Sequence, residues 1–143
     1  MKHIKTIKFQ NLDGCNNAYF FVRADESEIA IGADRENEGD IEVGVTVDDC
    51  KAIIALLQQT IVSSVNAIHA PRKVQYPLVH RFKNLDGGAD AAFQISKTDD
   101  SLEVILERSD EGGLTFRIKV EDAKSLVDAL TSALQHASAS AAT

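Results

Sequence analysis

The sequence predicts an α+β domain made of two tandem β-β-β-β-α repeats. A pseudo-two-fold axis would relate them, with antiparallel sheets and two helices. Three observations predict this. First, the 143-residue chain is written twice: Phe9-Gln10-Asn11-Leu12-Asp13-Gly14 returns as Phe82-Lys83-Asn84-Leu85-Asp86-Gly87, and 82 minus 9 gives a shift of 73. The register then holds without a gap through Ala18/Ala91, Phe20/Phe93, Arg35/Arg108, Gly39/Gly112, Val47/Val120 and Leu57/Leu130. Second, each copy opens with apolar residues at a period of two. Third, each copy closes with a period of about 3.5.

The elements follow in order. His3 to Gln10 and Tyr76 to Lys83 read as first strands, with Phe9 and Phe82 inward and Lys8 and Arg81 outward. Pro77 suits a strand end or edge. In the second strand, Phe20 and Val22 match Phe93 and Ile95, while Phe21 and Arg23 face Gln94 and Ser96 across the copies. One face is held apolar and the other varies, as in a half-buried strand. Ile29 and Ile31 match Leu102 and Val104 in the third strand. Ile41, Val43, Val45 and Val47 match Leu114, Phe116, Ile118 and Val120 in the fourth. Glu38-Gly39-Asp40 and Glu111-Gly112-Gly113 supply the turns between them, where glycine permits positive φ.

Acids at Asp48-Asp49 and Glu121-Asp122 mark the two helix starts, where they suit free amides and the positive end of the dipole. The first helix carries Ile54, Leu57, Ile61, Val65 and Ile68 in a stripe ending before Pro71. The second carries Val127, Leu130 and Leu134, then reads as a frayed tail from Ala137 to Thr143. The organisation is therefore residues 1–70 and 71–143, two small units closing one shared core. Val65 and Ile68 correspond to Ser138 and Ala141, so the extra stripe should cover the other copy's sheet or join a second chain in a homodimer.

Composition narrows the function. The apolar fraction of 44% and charged fraction of 26% are those of an ordinary globular chain. No apolar run is long enough to span a bilayer, and Met1-Lys2-His3-Ile4-Lys5 does not lead into one, so a cytoplasmic protein is expected. A net charge of −7 opposes a broad nucleic-acid footprint. Cys15 and Cys50 lack cysteine counterparts, being matched by Gly88 and Ala123, and read as reduced thiols. Cys50 reads as a small packing residue.

No catalytic residue, cofactor site or metal site stands out. Asp13 and Asp86 of the duplicated Asn-Leu-Asp-Gly read as turn residues whose side chains bond locally. His3, His69, His80 and His136 show no metal spacing. Arg35 and Arg108 read as surface partners of Glu38 and Glu111 across a turn. Phosphate loops, nucleophile elbows and Cys-x-x-Cys pairs are missing from the sequence.

The paired β-β-β-β-α layout is carried by Phe20-Val22, Ile29-Ile31, Ile41-Val43-Val45-Val47 and the helix from Asp48, then by their second copies. It resembles the fold of the PC4, PUR and Whirly single-stranded nucleic-acid-binding proteins in topology, without a diagnostic motif. The resemblance implies strand binding on the outward sheet face, where Lys8, Phe21, Arg23, Arg81, Arg117 and Lys119 would act. Composition favours another reading, a non-catalytic binding or assembly module acting on protein partners. An enzyme with a site on the pseudo-two-fold axis ranks third, since no acid–base or nucleophile pair supports it.

Overall fold

A computed structural model of the chain describes residues 2–12, 16–25, 28–36, 39–65, 77–85, 87–97, 101–110 and 112–141. Its elements are β1 (Lys2–Asn11), β2 (Asn16–Asp25), β3 (Glu28–Arg35), β4 (Gly39–Val45) and α1 (Val47–Val65). The same order returns as β5 (Leu78–Lys83), β6 (Asp90–Lys97), β7 (Leu102–Arg108), β8 (Gly112–Ile118) and α2 (Val120–Ala141). Each copy forms its own antiparallel four-stranded meander, β1-β2-β3-β4 and β5-β6-β7-β8. Registers repeat as well: Val22 opposes Ile31 in one sheet, and Ile95 opposes Val104 in the other.

The apolar positions point as the alternation requires. Phe20, Phe93, Val45 and Ile118 are all fully buried. Gly39 and Gly112 turn β3 into β4 and β7 into β8 at φ of 99° and 86°, a region costly for any residue with a Cβ. Both helices open on a capping carboxylate. In α1 the Thr46 hydroxyl accepts from the Asp49 amide at 3.0 Å, and the Asp49 carboxylate accepts from the Thr46 amide at 3.4 Å. In α2 the Asp122 carboxylate accepts from the Lys119 amide at 3.3 Å.

The two units share their core by exchanging helices. α2 lies over β1, β2 and β3 of the first sheet, while α1 lies over β5 and β6 of the second. The helices also pack on one another, the Cys50 thiol approaching the Leu130 carbonyl at 3.8 Å, and their buried stripes repeat: Cys50, Ile53, Leu57 and Thr60 match Ala123, Leu126, Leu130 and Ala133. Phe116 of the second copy meets Phe9 and Phe20 of the first, with ring centroids 5.7 and 5.2 Å away. One apolar cluster therefore contains residues of both repeats.

Two seams tie the sheets together, and both use corresponding positions of the two repeats. At one, Leu12 donates its amide to the Arg117 carbonyl at 2.9 Å, and the Asn11 side-chain oxygen accepts from the Arg117 amide at 2.9 Å. At the other, Leu85 donates to the Gly44 carbonyl at 3.0 Å, and the Asn84 oxygen accepts from the Gly44 amide at 2.7 Å. Asn11 and Asn84 correspond under the 73-residue shift, and so do Gly44 and Arg117. Arg35 then donates to the Thr115 carbonyl and Arg108 to the Glu42 carbonyl, each at 2.9 Å, again at corresponding positions.

These bonds give two motifs a long-range role beside their local reading. The Asn of Asn-Leu-Asp-Gly serves the opposite repeat, because β4 and β8 are edge strands whose outward backbone groups need partners. Arg35 and Arg108 likewise cross the seam. Their expected partners Glu38 and Glu111 lie outside the described residues, as do Asp13, Asp86, Cys15, His69, Ile68 and Pro71. The side chains of His3 and Val65 lie outside them too. The tail expected to fray from Ala137 is helical through Ala141, with Ala137 fully buried. Alanine favours helix strongly and extends the stripe of Leu130 and Ala133. Among the described residues, no helix is long and apolar enough to cross a membrane.

Asn11 and Asn84 are 0% and 1% exposed, so truncation removes a buried side chain and leaves the Arg117 and Gly44 amides without their acceptor. Asn11→Ala and Asn84→Ala should each destabilise the fold by about 1–3 kcal/mol in urea unfolding. Gln10→Ala, exposed beside Asn11 on β1, should stay within about 0.5 kcal/mol. Equal losses at Gln10 and Asn11 would show that the seam bond contributes nothing specific.

Candidate functional site

The strand alternation that buries one face of each sheet exposes the other. On sheet 1 the outward rows read Lys8-Tyr19-Asp34-Asp40, then Thr6-Phe21-Gly32-Glu42, then Ile4-Arg23-Ala30-Gly44. On sheet 2 they read Arg81-Ala92-Glu107-Gly113, then Val79-Gln94-Ile105-Thr115, then Ser96-Glu103-Arg117.

This layout separates the residues that the sequence singled out. Lys8, Phe21 and Arg23 share the outer face of sheet 1. Arg81 and Arg117 stand on that of sheet 2, and Lys119 is exposed at the start of α2. Phe21 is half-buried because its ring covers Gly32; a Cβ on Gly32 would fall 2.0 Å from ring carbons. Arg23 forms an ion pair with Glu42, so its charge is answered within the sheet. Acids are interspersed on both faces: Asp25, Glu28, Asp34, Asp40 and Glu42 on sheet 1, and Asp90, Glu103 and Glu107 on sheet 2. Asp90 pairs with Lys83.

Two depressions interrupt these surfaces. One, of about 390 Å³, lies over sheet 2 between Arg81, Ala92, Glu107 and Gly113. The other, of about 310 Å³, draws its lining from both repeats. Arg23, Asp25, Glu28, Ile29, Ala30, Glu42 and Gly44 come from sheet 1, and Asn84, Leu85 and Arg108 reach it across the seam. It exists because Ala30 and Gly44, opposed on β3 and β4, raise almost nothing above the sheet. Gly44 also admits the β5–β6 turn, since a Cβ there would come within 3.1 Å of the Leu85 Cβ. Among the described residues, the cleft is lined by carboxylates and guanidiniums but by no serine, cysteine, histidine or lysine.

Its charges are unequally satisfied. Arg23 is held by Glu42, and Arg108 by the Asp110 carboxylate at 2.8 Å and the Glu42 carbonyl. Asp25 and Glu28 face one another across the β2–β3 ladder, and neither forms an ion pair with a described residue. Like charges directly opposed on a sheet destabilise it. Sequence reasoning missed this cleft, although its signal was present: the shift of 73 sets Ala30 and Gly44 against Glu103 and Arg117.

Elsewhere, His80 on β5 bonds Asp49 of the α1 cap at 2.9 Å, fastening that helix to the opposite repeat's sheet. Cys50 is fully buried against the Leu130 carbonyl. Burial pushes its thiol up to about 12, and the Asp49 carboxylate adds to the effect. Among the described residues no group of three or more His, Cys, Asp or Glu is placed to hold a metal ion. No protein-family model matches the chain, and no curated protein sequence matches it.

The buried thiol should resist alkylation in the native state at pH 8, because only the thiolate reacts. Iodoacetamide labelling read at the Cys50 peptide by mass spectrometry should appear only on unfolding. Fast native labelling would place Cys50 at the surface.

The Arg108 hydrogen bond lowers the Asp110 pKa from its ordinary 3.8. A carboxyl lowered in the folded state contributes stability fully above the unfolded value and loses it as pH falls through the folded one. Carboxyl titration by NMR should therefore place the Asp110 midpoint below 3.8, and Arg108→Lys should move it upward. An unmoved midpoint would mean that the pair does not form in solution.

Proposed function

We propose that the protein is a non-catalytic binding module that takes up a protein segment on the outer face of sheet 1. The cleft at the seam carries this reading, because it unites both repeats on the sheet face that also bears the half-buried aromatic rings of Tyr19 and Phe21. Such a surface offers apolar contact next to fixed charge, the usual makeup of a recognition site. Carboxylates predominate on it: Asp25, Glu28, Asp34, Asp40 and Glu42 stand against Lys8 and Arg23. A cationic segment is the complementary partner.

Single-stranded nucleic acid is the second reading. Lys8, Tyr19, Phe21 and Arg23 share one face, which suits base stacking beside phosphate contact. The topological resemblance to PC4, PUR and Whirly proteins adds to it. Affinity for a polyanion depends on phosphate neutralisation, which the surrounding carboxylates oppose.

Fluorescence anisotropy separates the two. A short labelled peptide of arginine, leucine and glycine should bind at low salt and weaken as salt rises, while labelled oligothymidine should not bind. Tighter binding of oligothymidine than of the peptide would overturn the protein-segment reading. Tyr19→Ala should weaken the peptide about tenfold, a loss of about 1.4 kcal/mol.

A further inference from the structure

Resting on that reading of sheet 1, we infer that the seam cleft is a receptor for one basic side chain of the bound segment, with arginine preferred over lysine. The two repeats supply the comparison. On sheet 2 the opposed pair is Glu103 and Arg117; on sheet 1 the corresponding pair is Ala30 and Gly44. The second copy therefore carries a guanidinium covalently at the position where the first copy has a cleft. A basic side chain entering from a partner takes the place that Arg117 holds in the repeated design.

The lining fits the shape of such a side chain. Leu85, 46% exposed, forms a wall beside the floor of Ala30 and Gly44. An apolar wall and a bare floor suit the methylene stem of a long cation, which packs well on apolar surface. The volume of about 310 Å³ stands at the lower end of ordinary ligand pockets, about 300–1,000 Å³, so one side chain suits it better than a large cofactor.

The charges fit its head group. The guanidiniums of Arg23 and Arg108 are bonded to Glu42 and Asp110, whereas Asp25 and Glu28 form no ion pair with a described residue. A cation between these opposed carboxylates relieves their repulsion. A planar guanidinium can bond two carboxylates at once, whereas an ammonium acts as a point charge, and this sets the preference for arginine.

The test uses the full chain and a short peptide with one central arginine flanked by leucine and glycine, measured by calorimetry at low salt. Replacing that arginine by citrulline, which keeps the shape and removes the charge, should weaken binding at least about tenfold, with lysine intermediate. Ala30→Arg, which sets a tethered guanidinium in the cleft, should weaken binding to a similar degree. The isosteric pair Asp25→Asn/Glu28→Gln should do the same while leaving the melting temperature unchanged or higher, and it decides the matter if Ala30→Arg fails to fold. Wild-type affinity retained in the folded variants, with the peptide still bound and still displaced by salt, would overturn the cleft as receptor and leave the sheet reading standing. A wild type that binds no arginine peptide would overturn both.

Discussion

The architecture depends on closing two edge strands. A four-stranded meander leaves β4 in one repeat and β8 in the other with outward amides and carbonyls, and such an edge invites stray pairing. Each repeat closes the other's edge. An asparagine oxygen takes the exposed amide, the next residue's amide takes the carbonyl, and an arginine reaches a second carbonyl two residues before it. The same three positions act in both directions, so the pseudo-two-fold relation is enforced by hydrogen bonds as well as by shape. A buried polar group with a single geometry is more selective than an apolar contact, because misplacement leaves it unsatisfied.

The helix exchange follows from that closure. Once the seams hold the sheets edge to edge, each helix covers the neighbouring sheet, and the helices meet one another where the Cys50 thiol approaches the Leu130 carbonyl. The Asp49–His80 contact ties the α1 cap to β5 and belongs to one copy only, since Ile7 stands where His80 would be. Departures from the repeat therefore fall at particular places. The most consequential are Ala30 and Gly44, which open a cleft on one sheet while Glu103 and Arg117 populate the other.

The strand order, the inward faces and the helix starts were legible in the sequence because both copies had to satisfy one pattern. Phe20 with Phe93 and Val45 with Ile118 were fixed by alternation alone. The asparagines were legible as repeated but not as seam groups, since local turn chemistry and a long-range bond use the same side chain and the sequence offers no distance. Gly87 does take positive φ in that turn, at 95°, so the turn and the seam coexist. The seam role of the arginines was hidden for the same reason, since the sequence offers no distance from Arg35 to Thr115 or from Arg108 to Glu42. The extent of α2 was underestimated because alanines looked too small to anchor a helix, yet small residues are what a close helix contact admits. The cleft was hidden because absence of bulk becomes visible only once Leu85 is known to arrive from the far repeat.

The exchanged helices also govern how the chain meets the ribosome. The first sheet is complete in sequence by Val45, but the helix that shields it begins at Val120. During synthesis, Phe20, Val22 and Ile31 stay without their final cover while about half of the polypeptide is still to be made. At about 5–20 residues per second this is an interval of several seconds or more, long compared with collapse. The cover for the first half of the core is thus delivered by the last segment to emerge.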